Sequence, residues 1–223
     1  IYIQKSQQGG GSPIIRGFAT NRILLVIDGV RMNTAIFRSG NVQNVISIDP
    51  FTIESTDLIF GPSSQFYGSD AIGGVLNFTT VKPEFSDNKM VLKTKNNLRY
   101  SSANNEKTYH SQFSLSGKKI ATITSFTYSR FDDLKIGEKG SKVYGRPDYI
   151  ATSFSSDTII DNSDESIQVN SGYNQKNFLH KTSFKINSKS QIHYGIQYSE
   201  TSDIPRYDRL IQRDELNQLS QAE

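Results

Sequence analysis

The chain has 223 residues, and its 25 Lys and Arg against 22 Asp and Glu give a net charge of +3, no electrostatic case for nucleic acid or an anionic membrane surface. A hydrophobic fraction of 35% is low for one compact core, and the absence of cysteine excludes a disulfide framework and thiolate metal sites. The longest aliphatic run, Ile23 to Ile27, is far short of the roughly 20 apolar residues a spanning helix needs; β-barrel strands, which alternate, never build such a window.

In chain order, Ile1 to Lys5 carries neither the charged start nor the apolar centre of a signal peptide, so the chain is expected to begin in mid-domain. Residues 1 to about 83 then read as short β-segments punctuated by glycine. Gly9-Gly10-Gly11-Ser12-Pro13 is predicted as a loop and Ile23 to Ile27 as a buried strand. Asp28-Gly29 favours a tight hairpin turn into Val30-Arg31-Met32, because glycine accepts positive φ and aspartate caps its own backbone; this reading is preferred to direct ligand contact. Pro50 and Pro62 interrupt the next stretch. Pro62 to Tyr67 predicts a short helical turn ended by Gly68, and Val75 to Thr80 a strand. Gly68, Gly73 and Gly74 are read as permitting close backbone packing, which makes the region a small α+β unit.

From Lys89 the pattern changes to long alternating segments. Met90, Leu92, Thr94, Asn96, Leu98 and Tyr100 share one face of the first, opposite Lys93, Lys95, Asn97 and Arg99. Tyr109, Ser111, Phe113 and Leu115 oppose His110, Gln112, Ser114 and Ser116 in the second, and Ile120, Thr122, Thr124, Phe126 and Tyr128 share a face of the third. After a polar stretch, Phe178, Thr182, Phe184 and Ile186 oppose Lys181, Ser183 and Lys185, and Ile192, Tyr194, Ile196 and Tyr198 oppose His193, Gly195, Gln197 and Ser199. Gly117-Lys118 and Asn187-Ser188-Lys189 are tight turns, whereas Asp132 to Lys176 is a long polar excursion; short turns at one end and long loops at the other is the arrangement of outer-membrane barrels. Tyr100, Tyr109, Tyr128, Phe131, Phe178 and Tyr198 fall near the long-loop ends, where an aromatic girdle would lie. A soluble antiparallel sheet with one wet face is the alternative.

An enzyme reading starts from Ile23 to Asp28, an apolar strand ending in Asp as in phosphate-loop NTPases, but the required Gly-x-x-x-x-Gly-Lys-Ser/Thr loop does not occur. No Ser/His/Asp or Cys/His arrangement is present, and His110, His180 and His193 are scattered without metal-ligand spacing. No catalytic residue, cofactor or resident metal is expected.

Three ordered motifs resemble the plug of TonB-dependent outer-membrane receptors: Gly9 to Phe18 (GGGSPIIRGF), Asn21 to Arg31 (NRILLVIDGVR) and Tyr67 to Asn77 (YGSDAIGGVLN). Ser202 to Leu210 also looks like a loop of receptors in the haem and cobalamin branch. The resemblance implies a mainly β protein: a plug over residues 1–83 with its N-terminal part missing, then from 84 to 223 the start of a transmembrane β-barrel. That barrel would have about 22 strands when complete, about five of them here, with the long loop of about 132–176 extracellular. It implies active import across the outer membrane of a Gram-negative bacterium, with iron–siderophore or haem-type iron sources first and cobalamin, peptide or glycan as alternatives. A plugged barrel for binding or adhesion without energised transport is the rival. The implied partners are the TonB–ExbB–ExbD complex, through a segment expected to precede Ile1, a small-molecule or metal-chelate substrate and outer-membrane lipid; a surface lipoprotein is compatible with this architecture, and nucleic acid is not expected.

On the resemblance, Arg16, followed by Gly17, matches the plug arginine held by barrel glutamates, a latch in which bidentate carboxylates offset desolvation of the guanidinium. An ordinary surface arginine is the plainer reading, and Phe60 stands where many relatives carry a second arginine. Asn33 to Asn44 is the candidate substrate-facing plug loop. Its candidate residues are Asn33, Phe37, Arg38, Asn41 and Gln43: Phe37 could stack, Arg38 could pair with a carboxylate or phosphate or serve as another structural arginine, and Asn41 and Gln43 could donate and accept hydrogen bonds. The loop contains no histidine, so it offers no haem ligand.

Overall fold

The computed structural model describes residues 1–5, 7–19, 22–32, 45–60, 64–68, 71–137, 141–152, 157–205 and 207. The N-terminal unit contains β1 (Tyr2–Gln4), β2 (Ser12–Ile14), β3 (Ile23–Ile27), β4 (Val30–Arg31), β5 (Ile53–Ile59), α1 (Ser64–Tyr67) and β6 (Gly74–Thr80). Then follow β7 (Val91–Ser101), β8 (Glu106–Ser116), β9 (Ile120–Phe131), β10 (Leu134–Lys135), α2 (Ser141–Tyr144), β11 (Asp148–Thr152), β12 (Asp157–Asp161), β13 (Ile167–Gln168), β14 (Tyr173–Lys185) and β15 (Gln191–Thr201). Among the described residues no helix is long and apolar enough to cross a membrane.

The first unit is built on a four-stranded sheet in the order β4-β3-β6-β5, with β3 parallel to β6 and β5 antiparallel to it. All five residues of β3 are buried, which is why it reads as an unbroken aliphatic run. Ile23 and Leu25 pack with Ile15 and Leu76 on one face, and Leu24 and Val26 with Ala71 and Val75 on the other. Each such side chain contributes about 1.5–3 kcal/mol on full burial. The β3–β4 turn is the predicted hairpin: Ile27 pairs with Val30, and Asp28 and Gly29 both have positive φ, +50° and +84°. Gly73 allows the strand entry to press on Phe18, whose Cβ an added side chain would strike.

The second unit is a five-stranded antiparallel sheet in the order β7-β8-β9-β14-β15, each strand paired with its neighbour over most of its length. Its burial is inverted relative to a soluble sheet. Thr108, His110, Ser125, Thr127, Ser129, Gln175, Asn177 and Ser183 are buried on the inner face, while Phe113, Phe126, Phe184, Tyr194 and Tyr198 stand 44–55% exposed on the outer one. Water on the outer face would make this costly; a hydrocarbon solvent makes it the expected pattern.

Several local features differ from the sequence reading. Ser12 and Pro13 lie not in a loop but in β2, where Pro13 faces Ile3 in a two-stranded ladder that tolerates its missing N–H. The excursion after β9 holds two small ladders, β10 with β13 and β11 with β12, and β14 begins inside the stretch read as loop, at Tyr173. Phe131 leaves the girdle: one residue off the parity of Tyr128, it turns inward and stacks on buried Tyr173 at 4.5 Å.

Candidate functional site

The chemistry-bearing contacts concentrate where the first unit meets the inner face of the five-stranded sheet. The β3–β4 turn aims the Asp28 carboxylate at both. Its Oδ1 accepts from the Thr80 amide at 3.0 Å, its Oδ2 accepts from the Thr80 hydroxyl at 2.7 Å, and the Lys181 ammonium on β14 lies 2.9 Å from Oδ2. Lys181 also donates to the Thr80 carbonyl at 3.3 Å. Burial opposes ionisation of Asp28, but the Lys181 and Thr80 hydrogen bonds and the ammonium charge outweigh it and hold the carboxyl below its ordinary range. Asp28 is therefore a turn residue whose side chain serves the neighbouring strands rather than its own backbone.

A second contact centres on Asp49, which is buried and N-caps the 3-10 turn Pro50–Thr52 by accepting from the Phe51 amide at 3.0 Å. Its other oxygen accepts a short hydrogen bond from the Thr127 hydroxyl on β9. That hydroxyl lies 2.7 Å from Nδ1 of fully buried His110. Because Thr127 has already given its one proton to Asp49, the network assigns the proton of this pair to His110 Nδ1. Phe51 stacks on His110 at 5.0 Å, and the Arg99 guanidinium, which pairs with Glu106, lies 5.3 Å from the centroid of the Phe51 ring. Gln175 on β14 closes a third contact by donating to the Ile46 carbonyl at 2.7 Å. Beneath the sheet, the connection from β6 to β7 is pinned where Ser86 donates its amide to the Gly117 carbonyl at 3.1 Å and Lys185 lies over Phe85. A cleft of about 1250 Å³ runs beside Asp28, bordered by Met32, Phe85, Lys181, His193 and Gln197.

The sequence-singled residues fall in different places. Arg16 and Gly17 form a two-residue turn, both at positive φ, +50° and +83°, between Ile15 and Phe18, which exchange two backbone hydrogen bonds. Arg16 is exposed, its guanidinium 4.7 Å from the centroid of Phe60, and it has no carboxylate partner among the described residues. Gly68 and Gly74 also have positive φ, +86° and +139°. Asn33, Phe37, Arg38, Asn41 and Gln43 lie outside the described residues. Asp49, Phe51, Thr80, His110, Thr127 and Lys181 were not singled out. One signal was available: a lysine well inside a strand, on the face that carries Gln175, Asn177, Leu179 and Ser183, needs a buried acid opposite it.

An α+β unit seated by polar contacts on the inner face of an antiparallel sheet, whose outer face is aromatic and aliphatic, is the arrangement that plugged β-barrels of outer membranes share. Residues 1–75 match the family described as the TonB-dependent Receptor Plug Domain. Over these residues the chain is similar to the plug of TonB-dependent receptors. It is 42% identical over 94 residues to the vitamin B12 transporter BtuB of Vibrio vulnificus, a match covering 40% of this chain and 15% of that protein. Its fold superposes on the FrpB iron transporter of Neisseria meningitidis with a TM-score of 0.69 at 13% identity, covering 97% of this chain and 30% of that one. For the siderophore receptor PirA of Acinetobacter baumannii the TM-score is 0.55 at 20% identity, covering 90% and 27%. The chain thus spans less than a third of the length of these proteins.

Proposed function

We propose that this chain supplies the plug, to about residue 83, and the opening strands of a barrel of about 22 strands that imports a scarce nutrient with energy from the TonB–ExbB–ExbD complex. The nutrient is a metal chelate, in the first place an iron–siderophore complex or a haem-type iron source. The observation that carries this reading is the seam. Asp28 with Lys181, Asp49 with Thr127 and Gln175 with Ile46 are polar contacts that water can replace one by one, so the plug is held yet can be displaced without exposing a shared apolar core. Arg16, kept at a strained positive φ, is the plug arginine that barrel carboxylates grip, and the long excursion after β9 faces the cell exterior. The loop carrying Asn33, Phe37, Arg38, Asn41 and Gln43 meets the substrate. Cobalamin is the second reading, favoured by the 42% identity over 94 residues to the Vibrio transporter.

Deleting the receptor in its host and measuring uptake of labelled ferric siderophore, haem and cobalamin, with and without an intact TonB system, tests the reading. Loss of one iron source in both deletions is expected. Loss of cobalamin uptake alone selects the second reading, and uptake that persists without the TonB system overturns energised transport in favour of passive binding.

A further inference from the structure

On the outward face of the five-stranded sheet, formal charge is confined to one end. The outward positions run from Leu92 to Tyr100, Lys107 to Leu115, Ile120 to Arg130, Asn174 to Phe184 and Ile192 to Glu200 in steps of two, and among them only Lys107, Arg130, Lys176 and Glu200 are Lys, Arg, Asp or Glu. All four sit at the end that leads into the excursion after β9. Lys107 faces Arg130 directly across the β8–β9 ladder, and Lys176, opposite Tyr128, lies one step diagonally from Arg130. Immediately below come Tyr109, Tyr128, Phe178 and Tyr198, and below those Phe113, Phe126, Phe184 and Ile192, all exposed.

The three cations are available. Arg130 uses Nε to meet Asp132 at 3.1 Å, and its two terminal nitrogens have no partner among the described residues. Lys176 lies 3.9 Å from Glu200, too long for a firm hydrogen bond, with more than half of its side chain exposed. Lys107 makes no hydrogen bond or ion pair among the described residues.

We propose that Lys107, Arg130 and Lys176 form a headgroup site for a phosphorylated lipid of the outer leaflet, whose acyl chains lie along the aromatic and aliphatic face beneath. A guanidinium fork beside two ammonium groups matches phosphate oxygens, and three positive charges against Asp132 and Glu200 leave a positive excess. The site is continuous with a strip of exposed hydrocarbon, which a free phosphate would leave unused and an acyl chain would cover. The inference rests on the reading of this sheet as a barrel wall with the long excursion outside.

The test uses the full-length receptor in nanodiscs, with native mass spectrometry titrations of lipid A, a bis-phosphorylated glycolipid, and of its dephosphorylated form. The site predicts preference for the phosphorylated lipid. Affinity should fall about 5-fold for each of K107Q, R130Q and K176Q and on the order of 100-fold for the triple variant, at about 1 kcal/mol per cation near a charged membrane surface. K189Q, in the opposite turn, should match the parent. Equal binding of the two lipids, a triple variant that binds like the parent, or displacement of lipid A by millimolar inorganic phosphate overturns the lipid site. A fluorophore at Phe126→Cys, quenched by brominated acyl chains, separates the two readings. Quenching without phosphate dependence overturns this inference alone, and absence of quenching overturns the barrel wall as well.

Discussion

Replacing Lys181 by methionine leaves Asp28 facing the seam with only Thr80 to hold its charge. The variant should lose about 1–3 kcal/mol in urea unfolding of the receptor, and the double variant with Asp28→Asn should lose less than the sum of the singles, because the two side chains act on one another. Acid should dissolve the same contact. The folded carboxyl titrates below its ordinary 3.8, so the contribution of Asp28 is whole above that pH and is lost as the pH falls through the lower, folded value. In K181M the stability curve between pH 5 and pH 2 should therefore be flatter than in the parent. Gly29→Val, placed at φ +84°, should cost on the order of 1–2 kcal/mol in the same measurement without touching any side-chain partner. The turn itself was legible in Asp28-Gly29, because local chemistry fixes it. The direction of the carboxylate was not, because Thr80 and Lys181 are 52 and 153 positions away and nothing local distinguishes a carboxylate that caps from one that crosses a seam.

At the level of the strands, alternation placed all five long elements and their two faces, since period-2 patterning survives whichever face is wet. What it could not supply was which face is inside, and there the burial of Thr108, Thr127 and Gln175 and the exposure of Phe113 and Phe126 decide. Phe126→Arg, on the outer face near mid-strand, should cost about 2–4 kcal/mol in barrel assembly into bilayers, measured by heat-modifiable mobility, whereas Gln197→Arg on the inner face should assemble like the parent. Equal assembly of the two would mean that both faces meet the same solvent. β5 escaped sequence reading because it is an edge strand. Its middle residues, Glu54 to Asp57, are exposed and polar, its register slips between Ile53 and Ser55, and it offers no alternation to detect. The small ladders of the excursion after β9 escaped for a similar reason, being two to five residues long in polar sequence.

Taken whole, the molecule is two units joined by a short connection and a line of replaceable contacts. These 223 residues have no cysteine, so a pair introduced as D28C and K181C, in a receptor whose remaining thiols are first replaced, can be bridged by a short bis-maleimide. The bridged full-length receptor should bind its substrate normally at the cell surface and fail to import it, while either single-cysteine variant treated in the same way should import at the parental rate; import by the bridged form would show that this seam need not open. Net charge, read over the whole chain, made no case for an anionic membrane surface; the separation of Lys107, Arg130 and Lys176 from the neutral face below them is invisible to a sum and appears only once the strands are laid in register.

The strand directions of the plug also fix how it would bear tension. β1 and β2 are antiparallel, so a pull at Ile1 acts at the same end as the anchored exit of β2 and opens their three register pairs one after another, at low force. β3 and β6 are parallel, and the far anchor of β6 is its C-terminal exit toward β7. A load entering at the start of β3 and resisted at the end of β6 therefore acts along the strands from opposite ends, and all five register pairs must slide together. The same polypeptide is thus a zipper at its free edge and a shear joint at its buried centre, built to yield outside before it yields inside.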